Sequence, residues 1–155
     1  MRLSIIAVGR LKAGPELELV EDYAKRLRGA PAHLGPLTVH EIDERKDAAA
    51  QARTLSDLLA KIPPSSKIIA LDERGETLAT RAFADRLASW RDEGTPEAAF
   101  LIGGADGLAA LAHERARLTL SLGRMTFPHL LARALIAEQL YRAASLLAGH
   151  PYHRD

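Results

Sequence analysis

A chain of 155 residues suits one compact domain that buries a sizeable core without covalent staples. It contains no cysteine, which excludes a disulfide framework and a thiolate metal site, and a formal net charge of +1 is not the footprint of a general polyanion binder. No apolar run approaches the roughly 20 residues of a membrane span, and the apolar part of the first residues is too short for a secretory signal, so the expected setting is the cytoplasm.

Short β-like runs alternate with helical stretches along the chain. Leu3 to Val8 reads as a compact apolar strand. Gly14-Pro15 opens a helix in which Leu19, Tyr23 and Leu27 recur every four residues and are expected on one inward face; Pro15 suits the first turn, where its missing N–H is not needed. Leu37 to Ile42 alternates as a second strand, and Asp47 to Lys61 is helical until Pro63-Pro64-Ser65-Ser66 stops it. Lys67 to Leu71 is a third strand. Thr80 is placed to cap a helix carrying Phe83, Leu87 and Trp90 on one face. Phe100 to Ile102 forms a fourth strand that ends at Gly103-Gly104, Leu108 to Arg115 is a short helix, and Leu118 to Leu122 is a fifth strand. A final helix runs from about Pro128 to Ala148. Strand–helix alternation at this spacing predicts one α/β domain with a parallel sheet and helices on both faces. There is no internal repeat and no interdomain linker.

Three loops follow predicted strands, the place where open α/β sheets bind ligands. Leu101 to Gly107 holds Gly103 and Gly104, and reads either as a tight turn or as a loop that lets a ligand approach the backbone. It lacks the spacing of a dinucleotide fingerprint, and no phosphate-binding P-loop occurs, which disfavours an ordinary nicotinamide enzyme or nucleotide hydrolase. Leu71-Asp72-Glu73-Arg74-Gly75 reads as a solvated charged turn or as carboxylates for a ribose or metal. Gly123-Arg124-Met125-Thr126-Phe127-Pro128 is apolar and rich in backbone, suited to wrapping a flat ring, although Met125 and Phe127 taken singly are more often core residues.

The last helix is apolar nearly all round, so it must be buried nearly all round, and a partner subunit is a reasonable second cover. Its polar residues fall in two groups: His129 and Arg133 share a face at the N-terminal end, while Glu138, Arg142 and Ser145 lie on the opposite side. Glu138 and Arg142 read as an ordinary i,i+4 ion pair or as groups with a task in an otherwise apolar helix. The chain closes on His150-Pro151-Tyr152-His153-Arg154, residue types that can stack on a base, move a proton and hold a phosphate, or else form a plain terminus. His150 and His153 lack an evident third ligand, so no metal is expected. From Gly123 onward the four basic residues, all arginines, outnumber Glu138 and Asp155, so the excess of positive charge sits in the tail.

Leu71 to Glu76, Leu101 to Gly107, Met125 to Ala143 and His150 to Arg154, in this order and at these distances, resemble the ribosomal large-subunit pseudouridine N3-methyltransferases of the SPOUT superfamily, the RlmH or YbeA type. The resemblance covers the whole chain, including Tyr23 to Leu27. It implies a single SPOUT methyltransferase domain over residues 1–155, a parallel-sheet fold with a C-terminal trefoil knot, and a homodimer. It implies S-adenosyl-L-methionine as methyl donor, without a metal, held by Leu71, Gly103, Gly104 and Gly123 to Pro128, that is Gly123, Arg124, Met125, Thr126, Phe127 and Pro128. The implied acceptor is N3 of a pseudouridine in a stem-loop of large-subunit rRNA, in the assembled ribosome. Gly123 stands where Ser or Thr is common and Phe127 where Leu is usual; both changes fall in the donor loop.

On this reading, methyl transfer is an in-line displacement in which the protein aligns donor and acceptor. Arg133 or Arg154 is expected to steady charge on the ring, His129 or His153 to take or relay the N3 proton, and Tyr152 to stack on the flipped base, with Arg142 at the substrate or dimer surface. Two other classes stay open: a SPOUT enzyme acting on tRNA, and a non-catalytic RNA-binding assembly factor. The small net charge further predicts weak binding to naked RNA.

Overall fold

The computed structural model describes residues 1–29, 31–104, 107–108 and 110–152. Five strands, β1 (Arg2–Val8), β2 (Leu37–Ile42), β3 (Lys67–Thr77), β4 (Glu97–Ile102) and β5 (Leu118–Ser121), form one sheet in the order β2-β1-β4-β3-β5, with every ladder parallel. The helices are α1 (Pro15–Leu27), α2 (Ala48–Ala60), α3 (Thr80–Asp92), α4 (Ala110–Arg115) and α5 (His129–Leu147). The expected strand–helix order is present throughout.

Local chemistry explains most of the elements. β1 and β4 are apolar apart from Arg2, Ser4 and Glu97, because they lie inside the sheet with both faces covered. α1 starts on Pro15, carries Glu16 and Glu18 in its first turn and ends on Lys25 and Arg26, so its charges complement the helix dipole. Asp47 caps α2 by accepting a 2.7 Å hydrogen bond from the Ala50 N–H. Two apolar layers sandwich the sheet. Leu3, Ile5, Phe100, Ile102 and Ile69 meet α1, α3 and α5 on one face, while Ile6, Leu101 and Ile42 meet α2 and α4 on the other.

Three expectations need correction. Leu19 is 43% exposed, and the inward stripe of α1 runs through Val20 and Leu27 instead. Steps of four residues advance about 40° each, so a stripe centred on Leu27 has drifted to its edge two steps earlier. Thr80 does not cap α3: the N-cap is Ala79, with no side-chain hydrogen bond, and Thr80 is already helical. β3 continues past Leu71 to Thr77, because Leu71 and Glu76 both pair with Leu120 across a register shift. Asp72 to Gly75 are thereby thrown out of the ladder as a bulge, the usual device for re-aiming side chains at a site.

α5 begins at the C-terminal edge of the sheet, and its 19 residues span about 28 Å. It packs against α1 and α3 and reaches the 3₁₀ turn of residues 31–33. One end of this helix thus stands among the loops that follow the strands, and the other lies far from them.

Candidate active site

A cavity of about 500 Å³ opens among those loops. Its walls are the end of β3 with its bulge (Leu71, Asp72, Glu73, Arg74), the end of β4 (Ile102, Gly103, Gly104) with Gly107 and Leu108, the end of β5 with the loop after it, and the first residues of α5 (His129, Ala132). Eight of the nine residues expected to hold a donor line it: Leu71, Gly103, Gly104, Gly123, Met125, Thr126, Phe127 and Pro128. The ninth, Arg124, is exposed and is not among the lining residues. Met125, typically a core residue type, is 74% exposed on the rim.

Backbone geometry builds the cavity. Gly107 N–H donates to the Gly104 carbonyl at 3.0 Å, folding the loop after β4 back on itself. A methyl group on Gly103 would stand 2.3 Å from the Gly107 carbonyl carbon, so only glycine fits. The loop after β5 is turned by Ser121, whose Oγ donates to the Gly123 carbonyl at 2.8 Å. Thr126 Oγ1 donates to Glu73 Oε2 at 3.3 Å, tying this loop to the β3 bulge. Asp72 accepts from the Arg74 N–H at 2.9 Å and lies 3.5 Å from His113 Nε2 of α4. Asp72, Glu73 and Arg74 are therefore rim residues. Their position after a strand was the available signal, and the bulge that turns them inward is not visible in the sequence.

His129 lines the cavity; Arg133, one turn further along α5, does not. The Arg133 side chain is fully buried. Its Nη2 donates to the carbonyls of Val8 (2.6 Å) and Gly9 (2.9 Å), and its Nη1 to Glu41 Oε1 (3.2 Å). Burial pushes the guanidinium below its ordinary titration range, opposed by Glu41 and Glu44.

Arg142 and Tyr152 sit together at the far end of α5. Glu138 Oε1 accepts from Arg142 Nε at 2.8 Å, from Arg142 Nη2, and from the Tyr152 hydroxyl at 3.3 Å. The Arg142 guanidinium stacks 5.3 Å above the Tyr152 ring, whose edge meets Tyr141 at 4.7 Å, and the Tyr152 and Tyr23 hydroxyls are 3.2 Å apart. Burial raises the Tyr152 hydroxyl well above the usual phenol range, helped by its hydrogen bond to Tyr23 and by the Glu138 charge. His153 and Arg154 lie outside the described residues. Among the described residues no group of three or more His, Cys, Asp or Glu could hold a metal, and no helix is long and apolar enough to cross a membrane.

The comparisons with known proteins agree with this geometry. The family model described as predicted SPOUT methyltransferase matches residues 1–153. A protein of Cereibacter sphaeroides named ribosomal RNA large subunit methyltransferase H is 52% identical over 157 residues, covering 99% of each chain. Proteins of the same name from Dinoroseobacter shibae and Rhodopseudomonas palustris are 50% and 46% identical, again with 99% of each chain covered. Among solved structures, a probable methylase family protein from Haemophilus influenzae superposes with a TM-score of 0.53 at 11% identity, covering 99% of this chain and 70% of that one. The SpoU methyltransferase AviRb from Streptomyces viridochromogenes does so with a TM-score of 0.50 at 14% identity, covering 96% and 61%. Those two likenesses concern the fold alone. The chain belongs to the SPOUT methyltransferases. Within that family its full-length relatives at about half identity carry the name ribosomal RNA large subunit methyltransferase H.

Proposed function

We propose that this chain transfers a methyl group from S-adenosyl-L-methionine to N3 of a pseudouridine in a stem-loop of large-subunit rRNA, in assembled ribosomes in the cytoplasm. The supporting observation is the cavity at the strand ends, where backbone and apolar side chains surround a volume of about 500 Å³, within the usual range for a small-molecule site. Leu71, Ile102, Leu120, Leu122 and Phe127 supply faces for a flat ring, and the glycine-rich backbone supplies polar edges. When bound, S-adenosyl-L-methionine supplies a methyl group already activated by its sulfonium. The residues of the chain then have to align, desolvate and manage one proton. His129, on the rim, takes or relays the N3 proton. The names of the relatives support rRNA as acceptor. The fold class agrees with a trefoil knot formed by the loops that bound the cavity.

We assign His153, Arg154 and Tyr152 to the acceptor, across a homodimer. Arg142 and the Tyr152 hydroxyl lie half or more of the length of α5 away from the cavity of their own chain, which supports a tail that serves the cavity of a second subunit. Leu131 and Leu135 of α5 and Leu19 of α1 remain partly exposed on two helices packed against each other, which supports an interface there.

Ribosomes from cells lacking this protein provide the test. Incubation with protein and labelled donor, followed by mass spectrometry of the rRNA, is expected to find one new methyl on a pseudouridine of the large subunit. Labelling of tRNA alone would refute the assignment. A chain ending at Gly149 is expected to bind the donor and transfer no methyl; full activity in that truncation removes the tail from the mechanism. Methylation of a short hairpin as fast as whole ribosomes would refute the composite substrate.

A further inference from the structure

Arg133 is the largest fully buried side chain among the described residues, and it is a cation. A guanidinium has five N–H donors in a planar fork. Here the fork is spent on the end of β1, through the Val8 and Gly9 carbonyls, and on Glu41 of β2, while Nε has no hydrogen-bond partner among the described residues. The same Glu41 Oε1 accepts the Leu11 N–H at 2.7 Å, so one carboxylate joins β2, the loop after β1 and α5. On its outer side Glu41 Oε2 lies 3.7 Å from the exposed Arg10 Nε.

Gly9 is the hinge of this arrangement. Its φ is +96°, a conformation that side chains rarely adopt. A methyl group there would stand 2.9 Å from Glu44 Oε2, 3.2 Å from Arg133 Nη2 and 3.4 Å from His129 Nε2. A carboxylate from the loop after β2 and a guanidinium and an imidazole from α5 therefore converge on the space where Gly9 has no side chain. Val8 in turn lies behind the cavity wall: its Cγ1 would be 3.1 Å from a methyl group on Gly104, which lines the cavity. One guanidinium thus ties the end of β1, which backs the Gly104 wall of the cavity, to α5, where His129 stands.

We infer that Glu41 and Gly9 are positioning residues for methyl transfer, acting through the buried Arg133 to hold the first turn of α5, and with it His129, against the end of β1. The inference rests on the proposed function for its kinetic consequence and on geometry alone for its structural one. Replacing a buried ion pair by apolar groups of similar volume is often neutral for stability. What the polar latch adds is direction: the fork fixes α5 relative to two named carbonyls, where an apolar contact would let the helix settle in several registers. A displacement of about 1 Å at a reacting centre can cost on the order of 100-fold in rate.

The test uses the full-length protein with three variants: Glu41→Gln, Gly9→Ala, and the double replacement Glu41→Leu with Arg133→Met. Thermal unfolding, calorimetry with S-adenosyl-L-methionine, kcat and KM on ribosomes, and the NMR resonances of the His129 ring are measured for each. The double variant removes both charges together but also the donor of the Val8 and Gly9 carbonyls and the acceptor of the Leu11 N–H, so it is expected to lose stability yet stay folded and bind the donor, while kcat falls about 10- to 100-fold and the His129 signals move. Parental kcat in that variant would make the latch merely structural and overturn the inference. Glu41→Gln keeps the shape and an acceptor oxygen, and covers the case in which the double variant does not fold; it is expected to shift the His129 resonances and lower kcat more than it changes KM. Unmoved His129 resonances in Glu41→Gln and Gly9→Ala overturn the latch even if the parent protein methylates no rRNA, a result that would refute the proposed function separately.

Discussion

The two ends of α5 each carry an arginine facing a glutamate, in opposite surroundings. At the N-terminal end the fully buried Arg133 meets Glu41 of β2, itself 31% exposed, with backbone carbonyls completing the guanidinium's shell. At the C-terminal end Arg142 meets Glu138 one turn away on the same helix, the arginine side chain 31% exposed, with Tyr152 stacked against it. The first pair cannot be broken without stranding a charge out of water; the second can return both charges to solvent. Burial, rather than the identity of the pair, decides its weight.

Four substitutions break or sharpen that contrast, from the largest expected effect down. Arg133→Ala leaves Glu41 and two carbonyls without their donor and is expected to cost about 3–5 kcal/mol in urea unfolding; a loss below about 1 kcal/mol would put the two ends on the same footing. Gly103→Ala forces the loop after β4 away from Gly107, and calorimetry should show donor affinity falling at least about tenfold, roughly 1.4 kcal/mol. Tyr152→Phe removes the hydroxyl that joins Glu138 to Tyr23 and is expected to cost about 1 kcal/mol. Glu138→Gln should change stability by only about 0.5 kcal/mol, screened by salt, as expected of a partly buried i,i+4 pair whose amide replacement keeps an acceptor oxygen.

The Tyr152 variant also has a signature in pH. The folded protein holds this hydroxyl neutral above the pH at which an unfolded tyrosine ionises, about 10. Its contribution is therefore complete below that pH and is lost as pH rises toward the folded value, because the unfolded chain gives up the proton first. Unfolding followed from pH 8 to 11.5 should show the parent protein losing stability more steeply than Tyr152→Phe. Parallel curves would mean that the hydroxyl is not held in the network.

Much of the cavity was legible before the fold was known. Gly103, Gly104 and the stretch Gly123 to Pro128 stand after strands whose apolar runs are visible as local patterns, and ligands gather at that edge of a parallel sheet. Asp72, Glu73 and Arg74 were half legible: their place after β3 was apparent, but the shared pairing of Leu71 and Glu76 with Leu120 that turns them onto the rim was not. The charged residues of α5 divided differently. Helical spacing put His129 and Arg133 on one face, yet did not say that one would reach the cavity and the other would vanish into the end of β1.

The sequence by itself determined the elements, their order and the class of fold, because burial of apolar side chains has a period that differs between helix and strand and is read within a few residues. It also located the loops where a ligand would sit, since strand ends are marked by glycine, proline and charge. Only the tertiary structure decided the strand order β2-β1-β4-β3-β5, the convergence of Glu44, Arg133 and His129 on Gly9, and the docking of Tyr152 on Glu138. Arg133 lies 92 positions from Glu41 and 125 from Val8 along the chain. No local periodicity carries a contact of that separation; it exists only once the sheet has closed and desolvation has left the guanidinium no other partners.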